Sequence, residues 1–131
     1  MTTIMGKNLT GAAGLTIKIL KDLQRRERQL ETKTGIDNHK GEIASICRKL
    51  GVVRLDVFGS ATRSDFRPES DIDVLVRFDR HPGEMFRRYF DLKEQLEKIL
   101  GRPVDITLED SIRNPYFREA IQQSRVRLYE S

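Results

Sequence analysis

Apolar positions along the chain switch between two spacings, and the switches mark its elements. Leucines and isoleucines at 15, 19, 20, 23 and 30 recur at helical intervals over Leu15–Lys33, opposite a basic face. The small, polar residues 1–14 before them are expected to be unstructured. A second helix is expected over Asp37–Leu50, with Ile43, Ile46, Cys47 and Leu50 on one face, Asp37 as N-cap and Gly51 as its stop. The spacing then shortens to that of strands at Val53–Phe58 and Asp71–Phe78. A loop at His81-Pro82-Gly83 leads into a helix over Glu84–Leu100, whose stripe is Met85, Tyr89, Leu92, Leu96 and Ile99. Pro103–Leu108 reads as a strand, Asn114 and Pro115 as the cap and first residue of a helix reaching Gln123, and Val126–Leu128 as a short final strand. This order predicts an α+β fold, a mixed β-sheet backed by helices.

Charge divides the chain where the periodicity does not. The net charge is +4, and residues 1–36 carry seven basic against three acidic side chains, so the whole excess lies there. Residues 37–131 carry 17 of each sign. The organisation expected is a basic, partly helical N-terminal extension over 1–36 and one domain over 37–131. A neutral body argues against direct nucleic-acid binding, which draws on clustered cations. No apolar run approaches the ~18 residues of a membrane span, and no signal peptide is evident. One cysteine, Cys47, forbids an internal disulfide and fits a cytoplasmic protein with a buried thiol.

Candidate chemistry concentrates in GSATRSDFRPESDID, residues 59–73. Alternation along a strand puts Asp71 and Asp73 on one face and Ile72, Val74 and Val76 on the other. Two carboxylates ~6–7 Å apart repel unless a cation lies between them, and Mg²⁺ suits all-oxygen ligands. In VDI, residues 104–106, Asp105 opposes two apolar neighbours and can face the same cleft. Three such carboxylates could hold two metal ions, the arrangement that clamps both oxygens in phosphoryl transfer. Gly59 lets a phosphate approach the backbone, Ser60 adds a hydroxyl, and Arg63 can fork onto phosphate oxygens.

The run GSATRSDFRPESDIDVLV with the later VDIT resembles the minimal nucleotidyltransferase family of the DNA-polymerase-beta-like superfamily, whose signature G-S-x10-D-x-D it matches without a gap. The likeness covers roughly residues 37–129 and departs at Ser64, where members often carry glycine. It implies a polymerase-beta-like nucleotidyltransferase fold and a metal-dependent protein adenylyltransferase. Such antitoxins transfer AMP from ATP to a tyrosine hydroxyl of a partner HEPN-domain ribonuclease toxin and silence it. By position, Gly59, Ser60 and Arg63 would bind the nucleotide phosphates. Asp71 and Asp73 would ligate both Mg²⁺ ions, and Asp105 would ligate one and activate the acceptor.

The alternative is a non-catalytic antitoxin that neutralises its toxin by binding alone. Transfer to a small molecule would normally require an added acceptor-binding domain, which a body of about 95 residues leaves little room for. His39 and His81 lack ligand-spaced partners for zinc, and Ser60 and Ser70 lack the His-Asp support of a serine hydrolase. Asp65 and Glu69 read as solvated turn residues; Tyr116, Phe117 and Tyr129 read as packing residues of the last helix.

Overall fold

The computed structural model describes residues 2–80 and 83–131, with side chains from Gly14 onward, and builds a four-stranded sheet in the order β3-β2-β1-β4. The strands are β1 (Val52–Phe58), β2 (Ile72–Phe78), β3 (Val104–Leu108) and β4 (Val126–Glu130). β1 pairs antiparallel with both β2 and β4, whereas β2 and β3 run parallel. Parallel neighbours need a crossover, here the helix α3 (Met85–Leu100). The sheet is mixed and helix-backed, as expected; of the loop expected between β2 and α3, His81 and Pro82 lie outside the described residues.

Strand alternation sends the two faces of the sheet to different partners. Ile72, Val74 and Val76 join Leu55, Val57, Val104 and Ile106 in the main core. That face is covered by Ile43 and Cys47 of α2 (Lys40–Leu50) and by Leu92 and Leu96 of α3. On the opposite face Leu75 and Phe58 meet Ile112, which precedes α4 (Pro115–Ser124), and Ile121 within it, in a smaller cluster. Beside it Asp56 is 1 % exposed and bonded by Arg125 and Arg127, a buried carboxylate held by two guanidinium groups.

The edge strand β3 is fastened by side chains from α3. Glu97 Oε2 accepts from the Val104 amide at 2.9 Å, Lys93 donates to the Val104 carbonyl, and Tyr89 OH lies 3.5 Å from the Ile106 carbonyl. These bonds satisfy outward backbone groups that an edge would otherwise leave unpaired. They also fix the strand that carries Asp105.

Several local expectations are revised. α1 runs from Thr2 to Thr34, so the segment expected to be unstructured is helical; once a turn is nucleated, each added residue gains a bond. Its C-terminal end joins the core through Leu30, and Arg26 donates to the Arg125 carbonyl at 2.7 Å, while Leu15, Ile19 and Leu20 stay exposed. Asp37 is not an N-cap: it lies in a 3-10 turn over Ile36–His39, and α2 starts at Lys40. Gly51 (φ 70°) ends α2 as expected, Gly101 (φ 65°) ends α3 in the same way, and Asn114 Oδ1 caps α4 by accepting from the Tyr116 and Phe117 amides. In α3 Met85 is exposed, and Arg88 is buried instead, bonded to Asp79 Oδ1 at 2.9 Å and lying 4.7 Å over the Phe78 ring.

Candidate active site

Three stretches of chain converge at one end of the sheet because of the strand directions. β1 ends at Phe58, whose register partner is Asp73 at the start of β2. The parallel pairing then sets Asp73 abreast of Asp105 in β3. Neighbouring strands lie ~4.8 Å apart, so the two aspartates project side by side from the same face. Asp71, exposed, stands immediately before β2. The 3-10 turn Gly59–Thr62 follows β1 at this same end.

The three aspartates share an unusual electrostatic position. Among the described residues none of Asp71, Asp73 and Asp105 has an ion pair or side-chain hydrogen bond, in a chain with 24 Lys and Arg. Asp73 is half-buried, and its carboxyl is pushed up to about 6, chiefly by burial, then by the charges of Asp105 and Asp71, with Arg63 opposing. Arg63 is close enough to act on Asp73, yet its Nε donates to Asp65 Oδ1 at 3.1 Å. That bond holds the Asp65 carboxyl below the usual range, so Asp65 is a partner of Arg63 and not merely solvated.

Gly59 is required by its surroundings twice over. Its φ of 75° favours glycine, and a Cβ there would lie 2.6 Å from Asp73 Oδ2. The turn is closed by Thr62 Oγ1 donating to the Gly59 carbonyl at 2.9 Å and by the Arg63 amide donating to the Ser60 carbonyl at 3.0 Å. The Gly59 amide is already engaged, donating to Ser124 Oγ at 3.0 Å. Ser60 Oγ makes no hydrogen bond among the described residues, which leaves it available to an anion.

This donor set could hold a divalent cation. Among the described residues no three acidic, histidine or cysteine side chains are drawn together into a ready-made metal cage. Asp71, Asp73 and Asp105 carry like charges, which after burial are the second cause of the raised Asp73 carboxyl. The donors still fit a hard metal: all are carboxylates, none is claimed by a basic side chain among the described residues, and Gly59 leaves room for Asp73.

The matches to known proteins bear on this arrangement. The model of the nucleotidyltransferase domain family matches residues 40–128. This chain belongs to that family. A Methanocaldococcus jannaschii protein, provisionally named a protein adenylyltransferase, is 41% identical over 78 residues, 60% of this chain and 78% of its own. A solved structure provisionally described as a minimal nucleotidyltransferase is 35% identical, covers 74% of this chain and 93% of its own, and superposes with a TM-score of 0.59. An MNT antitoxin solved in complex with a tri-AMPylated Shewanella oneidensis HEPN toxin shares the fold at 18% identity and a TM-score of 0.51, over 72% of each chain.

Within the nucleotidyltransferase, all six residues singled out from the sequence fall inside the matched span. The fold brings Gly59, Ser60, Asp71, Asp73 and Asp105 to one end of the sheet and leaves Arg63 beside them on Asp65. Sequence reasoning missed Ser124, 5 % exposed at the end of α4, because nothing in QQSRV marks its reach to Gly59. Tyr116, expected to pack, is 82 % exposed, whereas Phe117 sets its ring edge-on to Phe58 at 5.9 Å. A cleft of ≈ 230 Å³ between α4 and the sheet shares Leu75 with the face that carries Asp73. No described helix is long and apolar enough to cross a membrane.

Proposed function

We propose that this nucleotidyltransferase is an antitoxin that transfers AMP from ATP to a tyrosine hydroxyl of a partner HEPN ribonuclease toxin. The observation that carries the reading is the alignment of two carboxylates, Asp73 and Asp105, beside a turn carrying the Ser60 hydroxyl, none of the three having a side-chain partner among the described residues. Relatives named protein adenylyltransferases and a structural neighbour holding an AMPylated toxin support the same chemistry. A toxin–antitoxin structure with AMP-PNP, sharing the fold at a TM-score of 0.54, supports a nucleotide as the donor.

In this reading Asp71 and Asp73 would hold two Mg²⁺ ions and Asp105 would hold one of them. Bound there, the ions supply positive charge against the triphosphate and the developing oxyanions. Ser60 Oγ donates to a phosphate oxygen, and Arg63 leaves Asp65 to fork onto the phosphate tail. Gly59 keeps the turn close to Asp73. Asp105 accepts the proton from the tyrosine hydroxyl as its oxygen bonds to the α-phosphorus. The bond from that phosphorus to the bridging oxygen breaks, and pyrophosphate departs.

Incubating the purified chain with its genomically adjacent HEPN protein, ATP and Mg²⁺, followed by peptide mass spectrometry, tests the proposal. AMP on a toxin tyrosine with loss of ribonuclease activity is expected. Protection that survives Asp73→Asn with no modification would instead establish neutralisation by binding.

A further inference from the structure

We propose that Ser124 is a positioning residue for the nucleotide turn: it ties the end of α4 to the Gly59 amide, and so sets how Ser60 and Arg63 meet the triphosphate. This rests on the reading of the site as an ATP site. Ser124 Oγ accepts from the Gly59 amide at 3.0 Å and donates to the Ala120 carbonyl at 3.1 Å. A serine near a helix end commonly bonds back one turn, as the contact with Ala120 does. The contact with Gly59 is different, because it spans 65 residues of sequence and removes from solvent one amide of the turn that would face phosphate.

The position of Gly59 matters more than that of an ordinary turn residue. Asp73 Oδ2 lies 2.6 Å from where a Cβ would stand, so the carboxylate occupies the space that a side chain at this position would need. The turn thus passes beside Asp73 and is held by Ser124. α4 is itself anchored next to Ser124: Arg26 Nη1, from α1, donates to the Arg125 carbonyl at 2.7 Å and reaches the Gln122 carbonyl at 3.5 Å. A helix that lies outside the span matched by the family model therefore steadies the element that holds the turn. The Gly59 amide serves this anchorage, and Ser60 and Arg63 are left as the donors to phosphate.

Removing the Ser124 hydroxyl leaves the Gly59 amide without its partner and the turn free to tilt. Re-ordering the freed turn when ATP binds would cost about what one such bond supplies, which corresponds to about tenfold in affinity. Because the tether reaches the nucleotide turn and not the acceptor, the expected signature is selective. In steady-state AMP transfer, Ser124→Ala should raise KM for ATP about tenfold and leave KM for the toxin within about twofold. Ser124→Thr, which keeps the hydroxyl, should return KM for ATP to within about threefold of the parent. A lowered melting temperature with both KM values unchanged, or equal increases in both, would overturn the proposal. So would failure of threonine to restore ATP binding in a folded protein. If Ser124→Ala does not fold, amide exchange of the unaltered protein decides: the Gly59 amide should be protected before ATP is added, and rapid exchange there refutes the tether. If the parent protein transfers no AMP, the functional reading falls, and ATP affinities of parent and variants by calorimetry still test the tether separately.

Discussion

Replacing Asp73 by asparagine should make the metal-free protein more stable while abolishing its chemistry. The Asp73 carboxyl is displaced from 3.8 to about 6, mainly by burial and then by Asp105 and Asp71. A folded-state value above the unfolded one means that Asp73 favours folding while protonated and that this contribution is lost as pH rises through about 6. The full displacement corresponds to ~3 kcal/mol, and half-exposure to solvent reduces this to roughly 1–2 kcal/mol. Asparagine has the same shape and no charge to desolvate. With an unfolding entropy of about 2.1 cal/mol/K per residue, ~1.5 kcal/mol raises Tm by roughly 5 °C for a chain of this length. Thermal melts in EDTA should show that gap at pH 8 and its disappearance below pH 4. Adding Mg²⁺ at pH 8 should raise the Tm of the parent more than that of Asp73→Asn, because the ion answers the repulsion that asparagine has already removed. A variant that melts at or below the parent at pH 8, or above it by the same margin at every pH, would refute the electrostatic reasoning.

Other parts of the structure give further expectations. Gly59→Ala forces a side chain toward Asp73 Oδ2 at a φ of 75°, so it should lower stability by about 1–2 kcal/mol in chemical denaturation and lose most AMP transfer. Asp56→Asn leaves Arg125 and Arg127 facing a neutral amide where the carboxylate was buried; urea titration should show a loss of about 3–5 kcal/mol. Glu97→Ala releases the Val104 amide and frees the edge that carries Asp105, costing about 1–2 kcal/mol and lowering kcat more than KM for ATP. Burial pushes the Cys47 thiol up to about 12, so a thiol reagent at pH 8 should label it only after denaturant is added.

Periodicity made the sheet legible because each strand faces two environments, and Ile72, Val74 and Val76 against Asp73 record the division residue by residue. The spacing from Gly59–Ser60 to Asp71 and Asp73 was legible because the whole pattern G-S-x10-D-x-D matches the family signature, whereas a D-x-D at a strand start is by itself usually solvated. The placement of Asp105 followed from the same alternation, and parallel register supplied what sequence could not, its position abreast of Asp73. What stayed hidden depends on pairing across long stretches of chain. Asp56 looks like an ordinary strand carboxylate until Arg125 and Arg127 arrive from 69 and 71 residues away. Arg88 resembles a solvated helix residue until Asp79 and Phe78 give its charge and its plane a partner. The extent of α1 was hidden because residues 2–14 have no strong apolar stripe of their own, and the helix continues from a segment anchored at Leu30 and Arg26.

The most direct measurement is the mass of the HEPN partner after incubation with ATP, Mg²⁺ and either this chain or its Asp73→Asn variant. The account predicts AMP on a partner tyrosine, with silenced ribonuclease activity, for the parent chain and none for the variant. A partner left unmodified by the parent chain, with its ribonuclease activity intact, would contradict it.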